Sequence, residues 1–307
     1  MPDLSPAIAL RGVGKKFGTL RAVDGVDLRV ERGELFGLIG HNGAGKSTLF
    51  KMMLGLIPAS AGEIAVAGAA VSGPDFRAVR RQIGYLPENL VLYDNLSGLE
   101  TLRFFARLKG ADASACPGLL ERVGLGGSSA RPVREYSKGM RQRLGFAQAL
   151  LGRPRVLFLD EPSNGLDPAA IRDFYAILQE LRAQGVTVLI TSHILAELQQ
   201  RVDRLAIMAN GRIQALGSVQ ALREQRDLPL TLALRIDPRT LPALRESLQA
   251  LPALRLSDAD GGCGELELQC PRPHKMAALA LLAGRVLDLQ IREPSLEDLF
   301  FELRRAA

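Results

Sequence analysis

The sequence has no tryptophan, and it has only four tyrosines and three cysteines among 307 residues. So few large aromatic side chains argue against a surface that stacks the bases of single-stranded nucleic acid. Three cysteines cannot pair completely, which argues against a secreted, disulfide-stapled fold. The longest uncharged run, Ala183 to Ala196, has 14 residues, whereas a membrane-spanning helix needs about 20. The chain does not open with a signal-peptide pattern, so we expect a cytoplasmic protein.

The sequence has 47% hydrophobic and 23% charged residues, which is typical of a folded globular protein. Its length of 307 residues is enough for two domains. The net charge is +6, yet residues 229–307 contain ten basic and eleven acidic side chains. The positive excess therefore lies in residues 1–228. Such an excess suits a polyanionic ligand such as a nucleotide, a nucleic acid or an anionic membrane surface.

Short apolar runs separated by turns predict a mostly parallel α/β sheet. Leu35 to Ile39, Arg155 to Leu159 and Val186 to Thr191 predict buried strands, and helical patterns precede the last two. Ser97 followed by Glu100 predicts a capping box at the start of an amphipathic helix. The apolar face of that helix is predicted to contain Leu99, Leu102, Phe105, Ala106 and Leu108.

The pattern of elements starts again after residue 228, so we predict a domain boundary there. Residues 229–307 predict the order β-α-β-β-α-β, which resembles a ferredoxin-like split unit, and a final helix from Ser295 to Arg305. Cys263, Cys270 and His274 could in principle bind a soft metal such as copper, but their uneven spacing favours a structural role. We expect this small α+β domain to be regulatory or dimerising.

The clearest motif is Gly40-His41-Asn42-Gly43-Ala44-Gly45-Lys46-Ser47-Thr48, which fits G-x-x-x-x-G-K-[ST] between a predicted strand and a predicted helix. Backbone N–H groups of such a loop surround phosphate oxygens, and the helix N-terminus adds positive potential. Lys46 is expected to reach the β and γ phosphates of a nucleotide, and Ser47 to hold Mg²⁺. The other nucleotide-binding candidates in the loop are Asn42, Gly43, Gly45 and Thr48.

A second acidic motif follows the apolar run Val156 to Leu159, where Asp160 and Glu161 come at the carboxyl end of the predicted strand. Ligands of open α/β sheets bind at that end. Neighbouring side chains on a strand point in opposite directions, so Asp160 can reach Mg²⁺ while Glu161 faces the γ-phosphate and polarises water. A lone Asp-Glu pair is usually a solvated strand end, but its combination with Lys46 favours catalysis.

With these motifs, the chain resembles the ATP-binding cassette (ABC) family of ATPases over about Ile8 to Gln225. The resemblance implies a P-loop NTPase fold, with a RecA-like core in residues 1–228 and a helical subdomain at about residues 89–152. Tyr136 to Arg143 resembles the family's signature motif. In that motif, Ser137 and Gly139 would contact the γ-phosphate bound to the opposite subunit.

Three more positions match the family. Ser163 to Asp167 resembles the loop that joins the two nucleotide sites of a dimer, with Asp167 as a nucleotide-site residue. His193 resembles the switch histidine, although a lone histidine is more often structural. Phe17 matches the aromatic residue that stacks on adenine, with a core position as the alternative.

The chain departs from the family at two places. Glu88 stands where many relatives have glutamine, so the γ-phosphate sensor is a carboxylate that either binds Mg²⁺ or repels phosphate. Lys138 and Met140 stand in the signature where glycine and glutamine are commoner, which adds a positive charge near the opposite nucleotide.

The family resemblance implies ATP and Mg²⁺ as ligands, a homodimer of ATPase subunits, and a separate integral membrane permease that holds this chain at the cytoplasmic face of the inner membrane. A groove near Glu88 to Asn95, with Tyr93 and Leu96, is the expected docking place for the permease. A soluble translation or repair ATPase is the alternative, but the fused cassettes or long coiled coils of those relatives are missing. The sequence contains no Asn-Lys-x-Asp motif, which a GTPase would use to recognise guanine. We expect no nucleic acid as a partner.

Within the family, short segments such as Tyr85 to Asn89 and Phe105 to Gly110 resemble the ATPase of the transporter that matures the copper centres of nitrous-oxide reductase. That resemblance implies a permease and a periplasmic accessory protein. The alternative is a generic exporter of drugs or polysaccharides, because Glu293 to Phe300 resembles the tail of such subunits.

Overall fold

The computed structural model describes residues 5–192, 198–225, 229–248, 253–258 and 265–293. The chain divides into two compact units, Met1–Ser218 and Val219–Ala307. Across the described ranges, no helix is both long enough and apolar enough to cross a bilayer.

The first unit contains an antiparallel sheet with the strand order β2-β1-β4-β5. Its strands are β1 (Ile8–Phe17), β2 (Leu20–Val30), β4 (Ala61–Val66) and β5 (Ala69–Ala70). Three register shifts interrupt the pairing of β1 with β2, all between Leu10 and Lys16. Strand β1 ends at Phe17, and β2 begins three residues later at Leu20.

A six-stranded sheet with the order β10-β9-β3-β8-β7-β6 forms the centre of the unit. Its strands are β3 (Leu35–Ile39), β6 (Ile83–Leu86), β7 (Val156–Asp160), β8 (Thr187–Ser192), β9 (Arg204–Ala209) and β10 (Arg212–Gly217). All neighbours are parallel except β9 and β10, which form an antiparallel hairpin that the sequence did not predict. Every residue of β3, β7 and β8 is buried, which explains why these strands read as unbroken apolar runs.

Six helices complete the first unit in the described chain. They are α1 (Lys46–Met53), α2 (Phe76–Val79), α3 (Gly98–Lys109), α4 (Cys116–Arg122), α5 (Lys138–Leu150) and α6 (Pro168–Ala183). Helices α3, α4 and α5 pack together. Phe50 of α1 meets Phe158 of β7 edge to face, with ring centroids 5.5 Å apart, so α1 is fixed against the sheet.

Helix α3 confirms the predicted capping box. The Ser97 hydroxyl accepts a hydrogen bond from Glu100 N at 3.2 Å, and the Glu100 carboxylate accepts one from Ser97 N at 2.8 Å. The predicted apolar face is wrong at Leu108, which is 68% exposed, while Leu102 and Ala106 are buried. Two residues advance a helix by about 200°, so Leu108 lies opposite Ala106.

The second unit begins with α7 (Val219–Gln225) and has four antiparallel strands in the order β12-β13-β11-β14. Its strands are β11 (Leu230–Arg235), β12 (Arg255–Asp258), β13 (Glu265–Cys270) and β14 (Asp288–Arg292). Its other helices, α8 (Leu241–Leu248) and α9 (Lys275–Leu282), share an apolar core with one face of the sheet. Cys263 and the predicted helix Ser295 to Arg305 lie outside the described residues.

Candidate nucleotide site

The loop between β3 and α1 is shaped by glycines that no other residue could replace without displacement. A Cβ on Gly40 would lie 2.5 Å from Met208 O, and one on Gly45 would lie 2.5 Å from Ala22 O. Gly45 also has a φ of +104°, in the region that favours glycine, and it caps α1. The loop is thus built for close backbone approach to a ligand at a helix N-terminus.

Lys46 is buried, and its ammonium group lies against the loop itself. Nζ donates hydrogen bonds to Gly40 O at 2.6 Å and to His41 O at 3.3 Å. Burial lowers the pKa of Lys46 below its ordinary value, and the negative charges of Glu161, Asp160 and Glu88 act in the opposite direction. The Lys46 ammonium therefore lies within the electrostatic influence of three carboxylates.

Asp160 is the last residue of β7 and is paired in register with Thr191 of β8. The Thr191 hydroxyl donates to Asp160 Oδ1 at 2.6 Å and accepts from Glu161 N at 2.9 Å. Burial raises the pKa of the Asp160 carboxyl, and the Thr191 hydrogen bond lowers it in part. Thr191 thus orients both acids, a role that the sequence alone does not predict because it depends on pairing between distant strands.

Glu161 is buried, with 6% of its surface exposed, and its φ is +49°. For a residue with a Cβ, this left-handed backbone costs roughly 1–2 kcal/mol. Unusual backbone of this kind clusters at functional sites. Glu161 lies just beyond β7, which ends at Asp160, so the change of backbone conformation falls between the two acids.

Glu88 is exposed and follows β6, beside β7 in the sheet. Its charge acts on Lys46 and on Asp160. Burial raises the pKa of Tyr85 to about 12, with further contributions from Asp160 and Glu88. The carboxylate at this position is therefore close enough to influence the acidic cluster.

A cavity of about 560 Å³ lies over the glycine loop. The predicted nucleotide-binding residues that line it are Phe17, Asn42, Gly43, Gly45, Lys46, Ser47 and Thr48. Phe17 ends β1, is 50% exposed, and has Lys15 Nζ 5.1 Å from its ring centroid. A ring in this position is available to a planar ligand and is not part of the core.

Three further residues that line the cavity, Arg21, Asn210 and Gly211, belong to no motif of the sequence. Gly211 N donates to Ala44 O at 3.1 Å, and Gly211 O accepts from Asp24 N at 2.9 Å. The turn between β9 and β10 is thereby bonded to both the glycine loop and β2. Only the Asn-Gly pair hinted at this turn.

Ser137, Gly139 and Asp167 are described residues that do not line this cavity. The exposed Ser137 caps α5, and its hydroxyl accepts a hydrogen bond from Met140 N at 3.2 Å. Asp167 caps α6 through a bond from Ala170 N to its carboxylate at 2.8 Å. His193 lies outside the described residues.

The residues present fit a nucleotide with a divalent cation. The glycine loop and Lys46 offer donors to phosphate oxygens, and the Ser47 hydroxyl and Asp160 carboxylate are oxygen ligands of the type that Mg²⁺ prefers. Within the described chain, no group of three or more His, Cys, Asp or Glu residues could hold a metal. A cation bound by Ser47 and Asp160 would take further ligands from phosphate oxygens and water, as is usual for Mg²⁺.

Comparisons with known proteins agree with this chemistry. A family model described as ABC transporter matches residues 23–164. The uncharacterized ABC transporter ATP-binding protein YhcH of Bacillus subtilis is 34% identical over 98% of this chain and 96% of its own length. Daunorubicin resistance ATP-binding protein DrrA3 of Streptomyces coeruleorubidus is 35% identical over 97% of this chain and 95% of its own. A solved ATP binding subunit of an ABC transporter matches 72% of this chain and 93% of its own, with a TM-score of 0.66 and 34% identity.

Proposed function

Because the chain belongs to the ABC family of transporter ATPases, as its motifs predicted, we propose that its own site hydrolyses ATP with Mg²⁺ and that Glu161 positions and activates the water. The observation that carries this assignment is the burial of Glu161 on left-handed backbone, next to Asp160 and within the field of Lys46. Carboxylates placed beside a phosphate-binding lysine are suited to phosphoryl transfer.

Different residues of the site bind the phosphates, the base and Mg²⁺. Lys46 and the loop N–H groups bind the phosphates, and the ring of Phe17 stacks on the base. Ser47 and Asp160 hold Mg²⁺, with Glu88 as a further acidic group nearby. Bound Mg²⁺ supplies neutralisation of phosphate charge. Thr191 keeps Asp160 oriented, and His193 is retained as the switch histidine that the family resemblance implies.

We propose a head-to-tail homodimer as the active form. Support comes from Ser137, which is exposed at the start of a 13-residue helix and outside the cavity that Lys46 lines. Such a helix N-terminus suits an anion, and the nucleotide of a second copy would supply one. In this arrangement Ser137, Gly139 and Asp167 of one copy complete the site of the other.

The test of hydrolysis is Glu161→Gln, with Glu63→Gln as the control because Glu63 is an exposed acid on β4. Glu161→Gln should keep ATP binding, lose steady-state turnover and accumulate a dimer in the presence of ATP. Glu63→Gln should behave as the unsubstituted chain. Unchanged turnover in Glu161→Gln would show that Glu161 is not the activating group.

The proposed partner is an integral membrane permease, which places the chain peripherally at the cytoplasmic face of the inner membrane. Support comes from an exposed apolar surface that follows Glu88, where Val91 is 90% and Tyr93 is 53% exposed. The Tyr93 ring lies edge to face on Phe104, with centroids 5.6 Å apart. Tyr93→Asp should reduce co-purification of the permease while ATP binding persists. Leu108→Asp, also on exposed surface, is the matched control.

We propose that the transporter exports apolar or amphipathic compounds, because the daunorubicin resistance relative matches almost the whole chain. Maturation of nitrous-oxide reductase, with a periplasmic accessory protein, is the second candidate and depends on the short segments described above. Lys46→Ala separates the two. Loss of drug efflux with intact reductase copper spectra supports export, whereas a copper-deficient reductase supports maturation.

A further inference from the structure

The sheet of the second unit has one packed face and one exposed face. Leu230, Leu232 and Leu234 of β11 belong to the apolar core shared with α8 and α9, and the residues between them point the other way. Strand β14 alternates in the same manner, with Leu289 and Ile291 against the core. We call the opposite side the outer sheet face. On these two strands it consists of Thr231, Ala233, Arg235, Asp288, Gln290 and Arg292.

Charge is distributed unevenly along the outer sheet face. At one end, Arg235 is paired across the strands with Glu265 on one side and Asp288 on the other. At the opposite end, Thr231 is paired with Gln269 and Arg292. Arg255 lies next to Gln269 at this second end. The first end is therefore acidic and the second is basic.

The centre of the face is shallow. Ala233 lies there between Glu267 and Gln290, and a cavity of about 240 Å³ opens above it. The longer side chains around Ala233 form the walls. A second surface can thus approach the middle of the sheet closely.

We propose that the outer sheet face binds the same face of a second copy of this chain across a two-fold axis. The axis lies in the plane between the two sheets, runs perpendicular to the strands and passes Ala233. This axis places the acidic end of each copy over the basic end of the other. Asp288 of one copy then faces Arg292 of the other, twice. Arg235 of one copy faces Thr231 of the other. The Asp288–Arg292 pair and the Arg235–Thr231 pair can therefore both form hydrogen bonds between the two copies.

Charge also selects this axis over the alternative. A two-fold axis along the strands would oppose Arg235 to its own counterpart and Glu265 to Asp288, and like charges in contact are strongly unfavourable. On the favoured axis the only acids that meet their counterparts are the two Glu267 residues. Each already has an ion pair with Arg292 of its own chain, at 3.4 Å. Arg292 would therefore be shared between Glu267 and the incoming Asp288.

The size of the face predicts a weak contact. Four strands about 4.8 Å apart and about five residues long cover roughly 300 Å² per copy. Stable stand-alone dimers bury more than this. The contact should therefore strengthen when two chains are held together, because the second interaction becomes intramolecular.

The test is cross-linking of full-length chain that carries Cys263→Ser, with and without ATP, by a short bismaleimide. Ala233→Cys should yield covalent dimer, because the two Ala233 residues face each other near the axis. Met276→Cys is the control, since Met276 is 73% exposed on α9, behind the sheet. Asp288→Arg in the Ala233→Cys chain should lower the yield severalfold. Adding Arg292→Asp together with Glu267→Gln should restore it, because the exchanged charges again face each other and no carboxylate is left beside the new aspartate.

Several results would overturn the proposal. Absence of dimer from Ala233→Cys in both conditions, although the cysteine reacts with a monofunctional maleimide, means that no second copy lies on the face. A cysteine that does not react at all means that another part of the chain, such as residues 294–307, covers it. If the exchanged charges do not restore the yield of covalent dimer, Asp288 of one copy does not pair with Arg292 of the other. ATP turnover, measured on the same chains, reports separately on the proposed hydrolysis.

Discussion

Gln142 of helix α5 donates a buried hydrogen bond from its side-chain Nε2 to the main-chain oxygen of Pro162, at 3.0 Å. Pro162 directly follows Glu161. A Cβ on Gly139, one turn earlier in the same helix, would lie 2.9 Å from Gly165 O. The helix that Ser137 caps is thus in close contact with the loop after the acidic strand, and a shift of one displaces the other.

We expect Gln142→Leu to lower ATP turnover while ATP affinity stays within about threefold, because the hydrogen bond positions Glu161 and does not contact nucleotide. A loss of about 1.4 kcal/mol of transition-state stabilisation corresponds to tenfold in rate. Gln148→Leu is the control on the same helix. Stopped-flow turnover and equilibrium ATP binding separate the two effects. Lower thermal stability with unchanged kcat would mean that Gln142 is purely structural.

Phe17→Ala should weaken ATP binding about five- to 150-fold, since stacking on an aromatic side chain contributes about 1–3 kcal/mol per base. Phe17→Tyr should preserve affinity. Inorganic tripolyphosphate has no base, so its competition with ATP analogues provides the internal control. If Phe17→Ala weakened tripolyphosphate and ATP equally, the ring would act on the phosphate loop and not on the base.

Asp160→Asn should stabilise the chain at neutral pH in the absence of Mg²⁺ and nucleotide, even though it removes a cation ligand. Burial raises the pKa of Asp160 in the folded state, so the charged form opposes folding once the pH exceeds that pKa. The advantage of asparagine should therefore shrink as pH falls through the folded pKa towards the ordinary range of aspartate. The Thr191 hydroxyl can still donate to the amide oxygen.

Urea unfolding at pH 7 and at mildly acidic pH measures this difference, with the exposed Asp75→Asn as the control. A less stable Asp160→Asn chain at pH 7 would contradict the assignment of burial as the dominant influence.

Gly84→Ala should destabilise the first unit by about 2 kcal/mol or more, within or above the usual range for overpacking. Its Cβ would lie 2.2 Å from Ala149 O of helix α5, and backbone cannot move aside as a flexible side chain can. Gly118→Ala is the matched control, because nothing lies within 4 Å of a Cβ there and α4 should gain up to about 1 kcal/mol. Urea unfolding compares the two. Equal stability would indicate that α5 is readily displaced from β6.

The parts of the site that the sequence predicted are local in the chain. The glycine loop is identified by the consecutive residues Gly45, Lys46 and Ser47. The fold class is predicted by the buried strands around the loop. The solved ATP-binding subunit confirms that fold. Ser97 with Glu100 is equally local, since three residues contain the whole capping box.

The parts that escaped prediction depend on contacts between distant segments. Thr191 reaches Asp160 only because β7 and β8 are neighbours in register. The hairpin of β9 and β10 was missed because β10 is half-buried and lacks a clean alternation of polar and apolar residues. Its turn reaches the glycine loop through Gly211, a contact that no sequence spacing encodes.

The strand pairings of the first unit differ in how much they tolerate changes of chain length. The pairing of β1 with β2 shifts register three times, so extra residues are already accommodated between Leu10 and Lys16. The pairings of β3 with β8 and of β7 with β8 run without a shift. A one-residue slip turns every side chain of a strand to the other face, so an insertion in β7 would separate Asp160 from Thr191. Insertions and deletions should therefore accumulate during evolution in the paired strands β1 and β2, between Leu10 and Lys16, and be rare in β3, β7 and β8.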